Sequence, residues 1–262
     1  MMSLGCMAYR CVSSLFSMKL LEFPHSHYCE KARWALDFKG IPFEAVAVMP
    51  GLHLFTIRRY APDTAVPVLL NGKEVVQGSG RIIDYLDMKY PEHALTPTQP
   101  SLRQACLDIE RDMDDRLGEN IRRILYDSLL DYPDFIRHCF THSMSGSKQR
   151  LFRLIYPLLR AKIAQTYVIS AAAVEQSRHE FDVAMTEIEQ LLQRGHYLVG
   201  GEFTRADLSV ASMLSFLVMP PEHPFPWQEV PDPKTQTFYD QYQAHPVLAW
   251  ASKIYRIHRN RS

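Results

Sequence analysis

The chain has 262 residues, 47% of them hydrophobic, so it can bury a sizeable core in one large domain or two small ones. Lysine plus arginine equals aspartate plus glutamate at 29 each, so no overall field favours nucleic acid or an anionic membrane as a partner. The longest apolar stretch, Leu208 to Met219, contains three serines and is too short to cross a bilayer, which favours a buried helix. Five widely spaced cysteines favour reduced thiols in a cytoplasmic compartment over a disulfide framework.

Residues 1–17 form an N-terminal extension with a single charge, Arg10, and no compact apolar run of the kind found in secretory signals. We expect this extension to be poorly ordered and to lie outside the fold. Because Met18 stands immediately before the first predicted strand, a translation start at Met18 is one alternative, and a mitochondrial-type leader is another.

A strand-to-helix turn is predicted at Ser26. Lys19 to Phe23 has the composition of a short buried strand, and apolar residues then recur at helical spacing as far as Gly40. At such a turn the first N–H groups and the positive end of the helix dipole point at one spot, which suits a bound anion such as a thiolate. The turn is therefore a candidate for sulfur chemistry. The competing interpretation is that Ser26 only caps the helix.

Between residues 43 and 90 the chain continues to alternate strand and helix. Asn71-Gly72 supplies the two positive φ angles of a tight turn, so the strands on either side of it should pair antiparallel. The predicted elements are strand 43–48, a short irregular helix 52–60, strands 66–70 and 73–76, and a helix from Ser79 to about residue 90. Their order predicts a thioredoxin-like α/β domain over residues 18–90.

A second, all-helical domain is predicted over residues 101–262, after a linker at 91–100 that contains three prolines. We expect segment 131–147 to be irregular and Pro157 to kink or interrupt a helix that runs from about residue 148 to 173. Thr204 and Asp207 are spaced so that each side chain can accept the other's backbone N–H. This is a capping box, and it predicts the start of a buried helix.

Four segments of the chain carry a family resemblance. They are S-H-Y-C-E-K-A-R at 26–33, A-V-P-V-L at 65–69, G-S-G-R-I-I-D-Y-L at 78–86 and T-R-A-D-L-S-V-A at 204–211. Over roughly residues 18–258 the chain resembles the cytosolic glutathione S-transferase superfamily. The resemblance implies a thioredoxin-like domain that binds glutathione, followed by an all-α domain with a pocket for an electrophile.

The resemblance also implies a catalytic residue. Ser26 falls where serine-type members place the residue that activates glutathione, and where glutaredoxins place the first cysteine of their redox pair. A serine hydroxyl can donate to the glutathione sulfur while helix N–H groups add positive potential, and both favour thiolate over thiol. Ser26 is thus the predicted catalytic residue, with glutathione as cosubstrate and no metal.

The A-V-P-V-L motif at 65–69 implies two neighbouring residues as glutathione ligands. Val66 and Pro67 resemble the family's cis-proline turn, which points the Val66 backbone at the cysteine of glutathione as if the tripeptide were an added strand. The alternative is an ordinary edge-strand proline.

The ends of glutathione are assigned to three further residues. Ser79, at a helix start, suits the γ-glutamyl carboxylate. Family members commonly have Glu or Asp where this chain has Gly78, so either Gln77 helps to hold the glutamyl group or the affinity is lower. His53 lies in a segment that resembles the one contacting the glycine carboxylate, and a surface histidine is the alternative.

Other clusters compete with this assignment. His25, His27 and Cys29 alternate and could converge on zinc in an extended segment, but the predicted helix start breaks that face. Cys29 also holds the second-cysteine position of a redox pair, which makes a reactive thiol an alternative. The tyrosines that could line the electrophile pocket are Tyr126, Tyr132, Tyr156 and Tyr167.

The predicted function is therefore that of a cytoplasmic glutathione transferase with a detoxification role, which acts on an apolar electrophilic small molecule and has no nucleic-acid or membrane partner. A homodimer is expected from the family. Two alternatives stay open: a noncatalytic relative that uses the fold as an interaction surface, and a glutaredoxin-like thiol transferase that depends on a reactive Cys29.

Overall fold

A computed structural model describes residues 18–259, so our expectations for residues 1–17 lie outside the described part. The first part alternates strands and helices: β1 (Met18–Glu22), α1 (His27–Phe38), β2 (Phe43–Ala47), α2 (His53–Ile57), β3 (Val68–Asn71), β4 (Glu74–Gln77) and α3 (Ser79–Lys89). The second part is helical: α4 (Pro100–Met113), a π-helix (Asp114–Glu119), α5 (Asn120–Leu129), α6 (Pro133–Thr141), α7 (Gly146–Thr166), α8 (Ala171–Leu192), α9 (Arg205–Met213), α10 (Ser215–Val218), α11 (Pro233–Tyr242) and α12 (Pro246–His258). The predicted fold class, a thioredoxin-like domain followed by an all-α domain, is confirmed.

The four strands form one mixed sheet in the order β2-β1-β3-β4. β1 pairs parallel with β2 and antiparallel with β3, and β3 pairs antiparallel with β4 across the Asn71-Gly72 turn. In this register Leu20 lies opposite Leu69, and both side chains are fully buried. The third strand begins at Val68 rather than at Val66, because Pro67 has no N–H to donate to the ladder.

One expectation for the helical domain was wrong. Segment 131–147, expected to be irregular, contains α6, which begins at Pro133 and buries Ile136, Cys139 and Phe140 on one face. The i, i+3, i+4 spacing of these three residues is a helical signal that the polar residues around it obscured.

Pro157 does not interrupt its helix, since α7 continues through it and ends at Thr166 rather than at about residue 173. Pro157 lies on the exposed side of the helix, so water can solvate the backbone carbonyl that the proline leaves without its usual partner. A new helix, α8, then begins after Ser170, whose side chain accepts the Ala173 N–H. Among the helices of residues 18–259, none has the length and apolarity needed to cross a membrane.

The capping box at the start of α9 is confirmed. The Asp207 carboxylate accepts the Thr204 N–H at 2.9 Å and also the Leu198 N–H at 2.8 Å. Asp207 is fully buried, so its carboxylate fixes both the helix start and the loop before it.

The two domains are joined through buried charges. Lys31 on α1 lies 2.7 Å from a Glu110 oxygen and 2.5 Å from an Asp114 oxygen, and its side chain is completely buried. Arg205, at the start of α9, contacts the other Glu110 oxygen at 2.5 Å and donates to the Gly80 carbonyl of α3 at 2.9 Å. Glu110 is thus shared by cations from both domains, which fixes α1 against α4 and α9.

A second buried network joins α1 to the C-terminal end of the described chain. Glu30 accepts from Arg33 at 3.0 Å and from Arg259 at 2.8 Å, and Arg259 also reaches Asp37 at 2.5 Å. Burial alone would raise the pKa of Glu30, but His223, Arg259 and Arg33 lower it to about 2. The pKa of His223 is itself lowered to about 3 by burial, so His223 is neutral at pH 7. At that pH the positive charges that stabilise the Glu30 carboxylate are therefore those of Arg33 and Arg259.

We predict that Glu30→Gln lowers the free energy of unfolding at pH 7 by about 3–5 kcal/mol, because Arg33 and Arg259 are left in the interior without their shared anion. Since the folded pKa is depressed, the contribution of Glu30 is present above the unfolded pKa and is lost as the pH falls towards 2. The measurement is denaturant unfolding of both proteins from pH 7 to pH 3. The difference between wild type and variant should shrink in the acid range.

The control for this experiment is Glu44→Gln. Glu44 pairs with Lys19 at 3.0 Å, but both side chains are about half exposed, so the loss should stay below about 1 kcal/mol. Equal losses for the two variants would show that the Glu30 network does not stabilise the fold.

Candidate active site

A cavity of about 460 Å³ opens at the turn between β1 and α1 and extends towards the helical domain. On one side it is lined by Ser26, His53, Val66 and neighbouring loop residues. On the other side the lining is largely apolar and comes from α5, α6 and α7, including Leu129, Ile136, Phe140, Leu159 and Ile163. The cavity therefore joins a polar strand-helix turn to an apolar helical wall.

Ser26 is the N-cap of α1 and faces this cavity half-buried. Its hydroxyl oxygen accepts the Cys29 N–H at 3.4 Å, and its backbone carbonyl accepts the Glu30 N–H at 2.8 Å. A hydroxyl that accepts a capping bond keeps its own proton to donate. Capping and donation to a ligand are therefore compatible at this residue.

The Val66–Pro67 peptide bond is cis, and Val66 lines the cavity. The Pro67 carbonyl accepts the Gly78 N–H at 3.0 Å, which ties this turn to the start of α3. The amide nitrogen of Gln77 donates to the backbone carbonyls of residues 63 and 65, at 3.0 Å and 2.8 Å. Gln77 thus holds the loop that leads into Val66.

Ser79 is the first residue of α3 and is almost fully buried. The preceding Gly78 has a φ of 96°, a conformation that side chains with a Cβ rarely adopt, which is a physical reason for glycine there. Ser26, His53 and Val66 line the cavity, whereas Ser79, Pro67 and Gln77 are not among its lining residues.

His53 begins α2, and its Nδ1 accepts the Gly51 N–H at 3.1 Å. Burial lowers the pKa of His53, so the ring is neutral at pH 7 and carries its proton on Nε2. The ring packs edge-on against Phe23, with the centroids 5.0 Å apart. His53 therefore presents a neutral N–H donor rather than a cation.

Cys29 is fully buried on the packed side of α1, and burial raises the pKa of its thiol to about 12. A thiol with that pKa is almost wholly protonated at pH 7 and is a poor nucleophile. The His25 ring contacts the Cys139 backbone carbonyl at 2.9 Å and does not join His27 and Cys29 in a common site. Within residues 18–259, no group of three or more His, Cys, Asp or Glu side chains is arranged to hold a metal ion.

Two of the four candidate tyrosines line the cavity. The rings of Tyr126 and Tyr167 lie 5.5 Å apart in its wall. Tyr156 instead donates to the Leu130 carbonyl at 2.6 Å, and Tyr132 lies outside the lining. Which tyrosines line the cavity depends on which faces of α5 and α7 point towards it, and sequence spacing alone did not determine this.

Sequence reasoning left several polar residues of the cavity lining out of the predicted site, among them Arg122 and His27, which it considered only as a zinc ligand. His27 follows Ser26 directly, so its position next to the turn was a signal for it. Arg122 lies just after the π-helix, and the chain offers no local pattern that would have singled it out.

Two family models match the chain. The model described as "Glutathione S-transferase, N-terminal domain" matches residues 20–94, and "Glutathione S-transferase, C-terminal domain" matches residues 170–251. Together they cover more than half of the chain.

Curated relatives agree with these matches. The chain is 38% identical to a maleylpyruvate isomerase of Ralstonia sp. over 90 residues, which is 33% of this chain and 42% of that protein. It is 32% identical to a zeta-class glutathione S-transferase of Euphorbia esula over 30% of this chain and 37% of that protein. With glutathione S-transferase TCHQD of Arabidopsis thaliana the identity is 24%, over 76% of this chain and 77% of that protein. The chain thus matches less than half the length of the maleylpyruvate isomerase and of the zeta-class transferase.

Solved structures share the fold. A glutathione S-transferase of Methylobacterium radiotolerans, in complex with glutathione sulfonate, has a TM-score of 0.62 at 22% identity, over 92% of this chain and 90% of that one. The β-etherase LigF of Sphingobium sp. has a TM-score of 0.60 at 20% identity, over 91% of this chain and 99% of that one. With the family models at both ends of the chain, these findings show that it belongs to the glutathione S-transferase superfamily.

Proposed function

We propose that the chain is a serine-type glutathione transferase in which Ser26 holds the sulfur of glutathione as a thiolate. The observation that carries this proposal is the position of the Ser26 hydroxyl, which caps α1 at the cavity wall and keeps a proton to donate. A free thiol with a pKa of about 8.5 is about 3% ionised at pH 7, and a pKa of about 6.5 makes it about 75% ionised. This shift requires about 2.7 kcal/mol, which a hydrogen bond and a helix N-terminus can supply together.

Glutathione then lies along the thioredoxin-like domain. Its cysteine pairs with the Val66 backbone beside the cis-proline, its γ-glutamyl carboxylate binds at Ser79, and its glycine carboxylate accepts from Nε2 of His53. The bond from Gly78 to the Pro67 carbonyl supports this arrangement, because it holds the first two of these positions at a fixed separation.

The second substrate occupies the apolar side of the cavity, between α5, α6 and α7. There the thiolate attacks an electrophilic carbon. The buried, weakly acidic Cys29 favours this role over disulfide exchange, which needs a reactive second thiol. We extend the proposal to a cytoplasmic homodimer, as the family resemblance implies.

We predict that Ser26→Ala lowers kcat/KM for glutathione conjugation of 1-chloro-2,4-dinitrobenzene by about 100-fold, on the order of the loss of one transition-state hydrogen bond to a charged atom. The matched control is Ser170→Ala. Ser170 also caps a helix, accepting the Ala173 N–H at 3.3 Å, but it is not a lining residue of the cavity. Its loss should cost about 1 kcal/mol of stability and leave kcat/KM within about twofold.

Equal kcat/KM values for Ser26→Ala and wild type would show that Ser26 has no catalytic role. A wild-type protein with no glutathione-dependent activity on any electrophile and no glutathione binding would instead favour the noncatalytic interaction protein.

We predict that Cys29 resists alkylation in the folded protein at pH 8, because it is buried and its pKa is about 12. Treatment with iodoacetamide, followed by mass spectrometry of the digested protein, should find Cys29 unmodified until denaturant is added. Rapid modification of Cys29 with parallel loss of activity would support the glutaredoxin-like alternative.

We predict that Ser79→Ala weakens glutathione binding by about tenfold, because the γ-glutamyl carboxylate loses a hydroxyl donor. Isothermal titration calorimetry with glutathione measures the dissociation constant directly. Ser101→Ala, an exposed serine near the start of α4, is the control and should bind as wild type does. Unchanged affinity in Ser79→Ala would place the glutamyl group elsewhere.

A further inference from the structure

Two buried polar groups line the cavity without hydrogen-bond partners among the described residues, the imidazole of His27 and the Nε of Arg122, and neither belongs to the residues proposed above to bind glutathione. His27 is 4% exposed, and within the described residues neither of its ring nitrogens makes a hydrogen bond. The Nε of Arg122 is likewise buried without a hydrogen-bond partner among residues 18–259. Buried polar groups that stay unsatisfied inside a cavity indicate where a ligand's polar atoms belong.

These two groups converge on one aromatic ring. The His27 ring centroid lies 4.5 Å from that of Tyr28, and the Arg122 guanidinium carbon lies 5.8 Å from the same Tyr28 ring. The guanidinium also stacks on Tyr167 at 4.1 Å. Stacking fixes the plane of the guanidinium and so the direction of its N–H groups.

Tyr28 is itself rigidly placed. Its hydroxyl donates to the Asp114 carbonyl of the π-helix at 2.6 Å. A Cβ on Gly118, in the same π-helix, would lie 2.5 Å from the Tyr28 oxygen, so glycine is required for this approach. The wide turn of the π-helix therefore sets the ring around which His27 and Arg122 are arranged.

Arg122 is a cation, and the His27 ring beside it is neutral. Burial works against the Arg122 charge, but Tyr167, Glu119 and Tyr28 hold its pKa above the ordinary value, and Glu119 contacts it at 2.6 Å. Burial, together with the charge of Arg122, holds the pKa of His27 well below its ordinary value, although contact with the Gly118 backbone works in the opposite direction. The pair can thus present an arginine N–H and an imidazole N–H to a ligand.

We propose that His27 and Arg122 form a subsite for a carboxylate on the electrophilic substrate, so that the enzyme prefers acid-bearing aromatic or unsaturated electrophiles to uncharged ones. This proposal rests on the proposed function, because the subsite lies in the same cavity as Ser26. A carboxylate accepts from both groups and pairs with the cation, while the apolar wall holds the rest of the molecule. An uncharged analogue leaves the Arg122 Nε and the His27 ring without a charged acceptor, although Glu119 still pairs with the guanidinium, and this is the basis for discrimination.

The probe pair is 4-chloro-3,5-dinitrobenzoate and its methyl ester. In both reactions the thiolate forms a carbon–sulfur bond at the chlorine-bearing carbon, the carbon–chlorine bond breaks, and chloride leaves with the bonding electrons. The ester withdraws electrons from the reacting carbon more strongly than the carboxylate does, so each kcat/KM is divided by the rate constant of the same compound with free glutathione. The ratio of acid to ester after this division reports recognition of the carboxylate.

The wild-type ratio of acid to ester should be at least about tenfold. Arg122→Gln should bring it close to one, and Arg122→Lys should recover only part of it, because an ammonium lacks the planar fork. His27→Phe should lower the ratio as well. The matched control is Lys162→Gln, which removes another cation of the cavity lining and should keep the wild-type ratio. A ratio near one in wild type, or one lost equally in Lys162→Gln, would overturn the proposal.

A binding measurement separates this proposal from the proposed function. The unreactive analogue 3,5-dinitrobenzoate and its methyl ester are titrated calorimetrically into the protein without glutathione. Tighter binding of the acid, by about tenfold and lost in Arg122→Gln, supports the subsite even if the protein proves inactive with glutathione. Equal binding of acid and ester overturns the subsite and leaves the role of Ser26 untouched.

Discussion

Helix α1 carries Ser26 at its start, and two buried charge networks hold that helix in place. Lys31 binds the carboxylates of Glu110 and Asp114 in the helical domain, while Glu30 binds Arg33 and Arg259. Buried charges are costly unless each finds a partner of opposite sign, so their pairing permits few alternative positions for the helix. The orientation of the Ser26 hydroxyl therefore depends on contacts that span both domains.

Local patterns predicted several features of both domains well. The turn at Ser26, the Asn71-Gly72 hairpin and the capping box at Asp207 each depend on residues only a few positions apart, and all three occur as expected. Such short-range signals arise from local properties of the backbone, such as φ preferences and unsatisfied N–H groups. They therefore depend little on the rest of the fold.

Long-range features were not predictable from the sequence. Lys31, Glu110 and Arg205 are ordinary charged residues in the chain, and only the folded structure brings them to one point. The π-helix likewise brings Gly118 close to Tyr28, a residue far away in the sequence. The candidate site was accordingly predictable on the side of Ser26, His53 and Val66, which line the cavity as expected, and not on the side of Arg122.

The two sides of the cavity also differ in whether the family models match them. The family models match residues 20–94 and 170–251, whereas α5, α6 and α7 lie between these matches and supply most of the apolar wall. The proposed thiol site thus lies in the part of the chain that the N-terminal family model matches. The apolar wall proposed to hold the second substrate lies outside both matches, so its substrate preference must be inferred from its own residues.

The measurement that tests the central claim most directly is the ultraviolet difference absorbance of the thiolate when glutathione binds to the wild-type protein, followed as a function of pH. If the Ser26 turn holds sulfur as an anion, the signal of bound glutathione should persist well below pH 8, with an apparent pKa near 6.5, about two units under that of a free thiol. Bound glutathione that titrates at about 8.5, as a free thiol does, would contradict the account.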